Sequence, residues 1–256
     1  MITIGSSTKS FMPPLQMKYS LVKDFGAQKQ TLQDLILFWS SKEKKLISLK
    51  EYVANMGSDQ SYIYYATGES NNRLDQLPQL ERLKEKGYDV LYFTQDVDEF
   101  IPRTLFNYEE KEFKNALTDD LGLETEEEKK QAEHQKEASK QTLEFVKETL
   151  GDLVKEVRLS ASLRSHPVCM VPEAGVSFEM EKYFKKVNPE MAMDAGRILE
   201  LNASHPAFHT LELAVAQDPE KAKKYAKILY YQALLIADLP VENPTEYTDL
   251  VCQLMQ

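Results

Sequence analysis

The chain has 256 residues and a formal net charge of −10 at pH 7. This length gives room for roughly two domains, and the negative charge argues against nucleic acid and anionic membranes as main partners. The two cysteines, Cys169 and Cys252, lie far apart without metal-ligand spacing, which is typical of a reducing compartment and predicts a cytoplasmic location. No apolar run approaches membrane-spanning length and no secretory signal is recognisable, so no membrane partner is expected.

The first part of the chain is predicted to be helical. Residues 1–14 show no periodicity, resemble an expression leader and predict no element of the fold. The apolar spacing of residues 17–42 predicts a helix. Ser48 and Glu51 form a capping-box pattern, which predicts a second helix ending at Gly57. Four apolar side chains share one face of the first helix: Leu32, Leu35, Ile36 and Trp39.

A compact βαβ unit follows. Tyr62–Ala66 is a short run of high β-propensity that predicts a strand, and Asp89–Phe93 predicts a second one. Between them lie a turn at Thr67–Ser70 and a helix that ends at Gly87. A crossover of this length joins parallel strands and should be right-handed.

The middle of the chain changes character. Asp96–Pro102 predicts a short helix broken by its proline, and residues 109–140 are dense in Glu and Lys. This segment, 109–140, is either a solvated helix with i,i+4 charge pairs or a charged linker, and it marks the predicted domain boundary. A helix resumes at about Lys140 and ends at Gly151.

The second domain begins with strand-like sequence. Val154–Ala161 and Pro167–Pro172 each predict a strand. A helix at 177–187 comes next, and Leu199–Asn202 is a short extended or turn segment. A further helix spans about 205–215.

The C-terminal segment predicts two more helices. Asp218–Glu220 supplies an N-cap, a proline at the first helical position and an acid, and Asn243–Pro244 repeats the signal. An isolated helix as short as the last one is marginal in water, so it must pack on something. A symmetric partner could supply the same pair in an intermolecular four-helix bundle, or both helices could cap this chain's own core. The residues predicted for a dimer interface are Tyr225, Leu229, Tyr230, Ala233, Leu234, Tyr247, Leu250, Val251 and Leu254.

One turn suggests a ligand site. Thr67–Ser70 lies where phosphates bind in doubly wound folds, at a helix N-terminus, and Asp96 and Asp98 follow the second strand, where a ribose could be held. The sequence has no glycine-rich fingerprint and no P-loop, and a single βαβ unit forms no switch-point crevice. A structural turn is therefore the favoured interpretation, and a small-ligand or nucleotide-binding α/β domain is the alternative.

The histidines and cysteines predict no reactive site. His205 and His209 have the i, i+4 spacing of two metal ligands, but no third ligand is apparent, so capping or surface roles are favoured. Cys169 with His166 could form a thiolate–imidazole pair. A small buried hydrophobic side chain is the simpler interpretation of Cys169.

Several stretches, taken in order, resemble the heat shock protein 90 family of ninety-kilodalton chaperones. They are LILFWSSK (35–42), SLKEYV (48–53), IYYATGES (63–70), KGYDVLYFT (86–94), PVC (167–169), and LELN with HP (199–206). The likeness covers the chain from about Leu15 to its end. As an ordered set it is highly specific.

The resemblance implies an α+β, multi-domain fold. Residues 15–120 would be the end of the family's middle domain, including a small αβα subdomain made of the βαβ unit and its flanking helices. Residues 121–140 would connect it to an α-rich dimerisation domain at 141–256, with a short sheet and the terminal helix pair. The family's ATP-binding domain and its ATP-contacting arginine have no match in this sequence. No ATP, magnesium or other cofactor, no metal and no catalytic residue are therefore expected here, and this chain is not expected to be an enzyme, although full-length members bind ATP with magnesium.

The helix at 177–187 is the predicted contact with other proteins. Its apolar stripe is typical either of an ordinary core-facing helix or of an adaptable binding surface. The resemblance implies an amphipathic helix that projects into the dimer cleft and contacts unfolded clients. The expected partners are thus a second copy of the chain and unfolded or partly folded proteins. The residues predicted for client contact are Met180, Tyr183, Phe184, Val187, Met191 and Met193.

Overall fold

The structure is a computed structural model that describes residues 14–188, 190 and 193–255. All but the last residue of the leader-like segment 1–14 lies outside this range. The fold is α+β, as predicted, with a larger and a smaller sheet in the described part. None of the helices described there is long and apolar enough to cross a membrane.

The predicted first helix is wrong beyond its N-terminal part. Helices α1 (Pro14–Lys23) and α2 (Lys29–Leu32) are followed by the strands β1 (Leu37–Ser40) and β2 (Leu46–Ser48), which form an antiparallel pair. Burial along β1 alternates between successive residues, which is the period of a strand. Pairing with two neighbouring strands thus overrides the helical spacing of residues 32–39.

Helix α3 (Leu49–Ala54) begins at the predicted capping box. The amide of Glu51 donates to Ser48 Oγ at 3.2 Å, and the amide of Ser48 donates to Glu51 Oε2 at 2.8 Å. These two bonds satisfy amides that the helix itself leaves unpaired, so they fix where α3 begins.

The predicted βαβ unit is present. Strands β3 (Ile63–Thr67) and β4 (Leu91–Phe93) are parallel neighbours. The helix predicted between them is divided into α4 (Asn71–Asp75) and α5 (Glu81–Glu85), with a 3-10 turn at Pro78–Leu80. The proline lacks the amide that an uninterrupted helix would need, which explains the break.

The larger sheet ends in two further strands that the sequence did not predict. After α6 (Ile101–Leu105), the strands β5 (Asn107–Tyr108) and β6 (Lys111–Asn115) complete a sheet of order β2-β1-β4-β3-β6-β5. Strand β6 runs parallel to β3 on the side opposite β4. The expectation that this unit forms no switch-point crevice is therefore wrong, because the connection reverses direction across β3.

From Glu126 onward the charged segment 109–140 is a solvated helix, which was the first of the two predicted alternatives, whereas its first part contains strand β6 and fits neither. Helix α7 (Glu126–Ala138) buries none of its side chains and begins at a capping box formed by Thr125 and Glu128. Glu128 also pairs with the buried Arg82 at 2.7 Å, which fixes the start of α7 to the first sheet's helices. Helix α8 (Lys140–Leu150) follows and buries its apolar face.

The smaller sheet has the order β7-β9-β8. Strand β7 (Glu156–Leu159) runs parallel to β9 (Arg197–Leu201), and β8 (Val168–Pro172) runs antiparallel to it. The predicted extended or turn segment at Leu199–Asn202 is thus largely the central strand. Helix α9 (Phe178–Val187) lies between β8 and β9 in the chain.

Three helices complete the fold. They are α10 (Pro206–Gln217), α11 (Pro219–Ile236) and α12 (Pro244–Gln253). Helix α11 packs on β8, α8 and α10, and α12 packs on α11. One apolar core joins these helices to the smaller sheet.

Polar contacts join the two sheet-centred units. Arg82 donates to the carbonyl of Ala161 at 2.8 Å, and Arg73 donates to the carbonyl of Leu235 at 2.7 Å. These bonds hold α4 and α5 against the end of α11 and against the residues that follow β7. The division of the chain at residues 120 and 140 stays a prediction.

Candidate functional site

Helix α9 contains most of the residues predicted for client contact. Ser177 accepts a hydrogen bond from the amide of Met180 at 3.0 Å, the N-cap that the sequence predicted. Glu179 lies in the first turn, and Lys185 and Lys186 lie in the last. Each charge therefore lies near the end of the helix dipole that has the opposite sign. The cap sets the residue at which α9 begins, and thereby which side chains form the apolar stripe.

The apolar stripe changes from buried to exposed along α9. Met180 is 6% exposed, whereas Val187 is 61% exposed. Tyr183 and Phe184 between them are half-buried. The first side chain of the stripe thus belongs to the core, and the later ones have surface available to a partner.

One of the two methionines predicted beyond the helix is described. Met193 is 48% exposed, and Met191 lies outside the described residues. Asp194 pairs with Lys185 at 2.9 Å, so the residue after Met193 lies beside the last turn of α9. The client-contact assignment of these residues stays a prediction.

The opposite face of α9 is held by a buried carboxylate. Glu181 pairs with Lys185 at 2.6 Å and with Arg197 at 3.3 Å, and it accepts a hydrogen bond from the amide of Ala195 at 2.8 Å. Hydrogen bonds to Glu181 and Asp194 raise the pKa of Lys185 above its usual value. These bonds tie α9 to the residues that precede β9, so the stripe faces away from that attachment.

The stripe faces the 3-10 helix Asp96–Phe100, which belongs to the unit built around the larger sheet, hereafter the first unit. The rings of Phe100 and Tyr183 meet edge to face with 6.3 Å between their centroids, and Tyr183 meets Phe184 in the same way at 5.6 Å. A cleft of about 230 Å³ opens between the two helices. Its walls also include Thr67, Gly68, Glu69, Thr94, Gln95, Glu99, Lys182 and Lys186.

A second link joins the same two elements at the start of α9. The hydroxyl of Ser177 donates to Glu99, and Arg103 donates to the carbonyl of Gly175 at 2.9 Å. Burial raises the pKa of the Glu99 carboxyl above its usual range, while the Ser177 bond and the positive charge of Arg103 oppose that rise. The N-cap of α9 is therefore bonded to a partly desolvated acid on the other unit.

Five of the predicted dimer-interface residues pack inside this chain. They are Leu229, Tyr230, Ala233, Leu234 and Leu250. Helix α11 turns the first four toward α8, α10 and β8, and α12 packs Leu250 against α11, which accounts for their burial. The assignment of these residues to a dimer interface stays a prediction.

The remaining predicted interface residues keep exposed surface. Tyr225, Tyr247 and Val251 are half-buried, and Leu254 is 45% exposed. Met255, at the end of the same predicted stripe, is also exposed. The end of α12 thus presents an apolar surface that no described residue covers fully.

The histidines take structural positions. His205 accepts a hydrogen bond from the amide of Ala207 at the start of α10, and His209 is exposed beside Glu212. Both fit the predicted capping and surface roles. Within the described residues, no group of His, Cys, Asp and Glu side chains is arranged to hold a metal ion.

The cysteine expectation is also confirmed. Cys169 is fully buried, its thiol is 3.7 Å from Glu200 Oε2, and burial raises its pKa well above the usual value. His166 instead contacts Glu81 at 3.1 Å. A thiol in this environment is a poor nucleophile.

The Thr67–Ser70 turn is occupied by bonds of the fold itself. The amide of Gly68 donates to the carbonyl of Phe93 at 3.1 Å, and Ser70 Oγ accepts from the amide of Arg73. A Cβ at position 68 would lie 2.8 Å from Leu74 Cδ2, so any larger residue would displace the Leu74 side chain. These contacts support the structural interpretation of the turn, and the absence of ATP binding stays a prediction.

Sequence reasoning missed the part of the cleft that the first unit supplies. Phe100 and Glu99 were assigned only to a short helix broken by Pro102. The available signal was an aromatic residue next to an acid at the end of a strand–helix connection. Only the approach of α9, far away in the sequence, makes these residues part of a site.

Comparison with known proteins decides the family. The model of the Hsp90 protein family matches residues 14–256. The chain belongs to the Hsp90 protein family. Among curated Hsp90 relatives, the chaperone protein HtpG of Bacillus subtilis (strain 168) is 47% identical over 240 residues, and that of Clostridium acetobutylicum is 48% identical over 241. Each alignment covers 94% of this chain and 38% of the relative, so the chain spans well under half the length of these Hsp90 proteins.

Proposed function

We propose that this chain supplies dimerisation and client contact in an Hsp90-type chaperone. Family membership supports the chaperone function, since the matching relatives carry that name. The observation that carries the client part is the cleft between α9 and Asp96–Phe100. It combines an aromatic wall with an apolar stripe whose outer end is exposed.

The chemistry of the cleft suits unfolded clients. Aromatic and methionine side chains adapt to varied apolar surfaces. Tyr183 and Phe100 line the cleft, and Met193 is exposed beyond the end of α9. The cleft is formed by two units of the chain, so its width depends on how the units dock. A partner that exposes apolar side chains gains burial in this cleft, whereas a folded protein with a polar surface does not.

The apolar end of α12 supports the dimer. Val251, Leu254 and Met255 leave apolar surface on the last helix, and a second copy would cover it by placing its own α12 against the same patch. An isologous contact of this kind needs no other partner. Burying large apolar side chains contributes roughly 1.5–3 kcal/mol for each.

Solution mass tests the dimer directly. The chain is expected to have twice its monomer mass by light scattering at micromolar concentration, and a chain ending at Leu239 is expected to be a monomer. A truncated chain that keeps the dimer mass, or a full chain that is monomeric, would rule out this interface.

Binding to a permanently unfolded model protein tests client contact. Reduced, carboxymethylated α-lactalbumin is expected to bind the dimer and to be displaced by excess unfolded competitor, while a natively folded protein of equal size is not. No binding, or equal binding of the folded protein, would contradict the proposal.

ATP binding by this chain is not part of the proposal. The amide of Gly68 and the hydroxyl of Ser70 are hydrogen-bonded within the fold, so calorimetry with ATP and magnesium is expected to give no saturable heat at micromolar concentrations. A saturable signal would revive the nucleotide-binding alternative.

A further inference from the structure

The larger sheet contains a topological switch point. The chain passes from β3 to β4 on one side and then crosses to β6 on the other, and all three strands are parallel. In open α/β sheets, ligands bind outside the carboxyl ends of the strands at the position where the connection reverses. Here that position lies between the ends of β3 and β6, beside Thr67 and Asn115.

A crevice opens at this position. Thr67 and Gly68 lie beside it at the end of β3, and Asn115 and Leu117 lie beside it at the end of β6. Its volume is about 50 Å³, and one water needs about 10–15 Å³. The crevice therefore accepts an apolar group of a few heavy atoms, with the rest of the molecule at the mouth.

The second unit forms the other walls of the crevice. Met170 and Pro172 come from β8, Phe178 from the first turn of α9, and Ile236 and Ala237 from the end of α11. A molecule in the crevice would contact both units at once. It would therefore strengthen their docking by mass action.

The lining determines the class of ligand. Leu74 and Leu77 add to the apolar walls, and the bonds already made by Gly68 leave no cradle for phosphate. Gln79 also lines the crevice, but it is buried and its Nε2 donates to the carbonyl of Met170 at 3.4 Å, so it adds no open polar group. The crevice therefore favours a neutral, mainly apolar ligand.

We propose that this crevice is a binding site for a small, neutral, mainly apolar molecule. Its apolar part packs between Leu74, Ile236 and Phe178. The site joins the two units of the chain, and it shares Thr67, Gly68, Glu69 and Glu179 with the cleft proposed for clients. Its occupation holds the start of α9 against β3 and β6.

Phenol is the probe for this site. Saturation-transfer NMR on the full chain is expected to show saturable binding at millimolar concentration, as suits a ligand of so few atoms. Ala237→Leu fills the crevice and is expected to weaken binding about tenfold, whereas Leu77→Ala enlarges it and is expected to tighten binding severalfold. Ala207→Leu is the matched control, because Ala207 is half-buried in α10 away from the crevice, and it should leave the affinity unchanged.

The variants separate the possible outcomes. Phenol that does not saturate, or that binds wild type and Ala237→Leu equally, overturns the site. If circular dichroism shows that Ala237→Leu does not fold, Leu77→Ala decides: tighter binding supports the site and unchanged or weaker binding overturns it.

Discussion

The rings of Phe100 and Tyr183 meet edge to face across two units of the chain, with 6.3 Å between their centroids. Such aromatic pairs contribute about 0.5–1.5 kcal/mol beyond their area burial. Both rings line the cleft, while Val187 leaves the outer end of the stripe exposed. In the proposed client contact, the partner binds these outer residues and leaves Met180 in the core.

The first prediction separates binding from folding along α9. Tyr183→Ser with Val187→Ser is expected to weaken binding to unfolded α-lactalbumin severalfold, because it removes apolar surface that a client would bury. Met180→Ser is expected to lower stability by about 2–5 kcal/mol, because that side chain is buried.

An exposed leucine elsewhere provides the control. Leu213 in α10 is 46% exposed, and Leu213→Ser should change neither client binding nor the melting temperature. If the Tyr183 and Val187 variant binds clients as wild type does, α9 is not the contact.

Much of the fold followed from local signals. The Ser48, Ser177 and Asp218 caps are present as the sequence predicted, because N-caps depend on residues only a few positions apart. The strands β1 and β6 were missed, because strands are decided by partners distant in the sequence. Strand β6 is rich in charge and is recognisable only through its pairing with β3.

The candidate site was predictable only on one side. The stripe from Met180 to Val187 follows from helical period, so its residues could be named from the sequence. The opposing Phe100 could not, because no local pattern reports that Asp96–Phe100 lies against α9. The same limit applies to the crevice, which depends on β6 joining the parallel strands.

The second prediction concerns pH. Burial raises the pKa of Glu99 in the folded chain, so the folded state holds the proton more tightly than the unfolded chain does. The stability that this carboxyl contributes is fully present below the unfolded pKa of about 4.3 and is lost as pH rises through the folded value. Glu99→Gln removes the charge at every pH. It is therefore expected to raise the melting temperature at pH 7, with a difference that shrinks on acidification toward pH 4.

Calorimetry across this pH range makes the comparison. Glu69→Gln is the control, because Glu69 is an exposed carboxylate that lines the same cleft, and it should change the melting temperature much less. A Glu99→Gln variant that is less stable at pH 7, or whose advantage grows at low pH, would contradict the assigned direction.

The third prediction concerns α12. Leu254→Asp places a charge on the apolar end of the last helix and is expected to give a monomer at micromolar concentration, since a charge at the centre of an isologous contact meets its own copy. Leu213→Asp is the matched control, because Leu213 is about as exposed as Leu254. Light scattering should show a monomer for the first and a dimer for the second. Loss of the dimer in both variants would mean that the effect is not specific to α12.

The last prediction concerns a buried ion pair at the start of the described chain. Lys18 Nζ lies 2.8 Å from Asp98 Oδ1, and both side chains are almost wholly buried. Burial lowers the pKa of Lys18 and raises that of Asp98, so each group relies on the other to stay charged. Lys18→Met leaves Asp98 buried without its partner and is expected to cost about 3–5 kcal/mol of unfolding free energy in urea.

Two further variants identify the cause. Adding Asp98→Asn to Lys18→Met removes the unpaired charge, so the double variant is expected to be more stable than Lys18→Met alone. Lys45→Met breaks an exposed pair with Glu43 and should cost no more than about 1 kcal/mol. If the double variant is no more stable than Lys18→Met, the loss comes from the contact of the Lys18 ammonium with the Phe38 ring, 4.3 Å from its centroid, and the unpaired charge of Asp98 is not the cause.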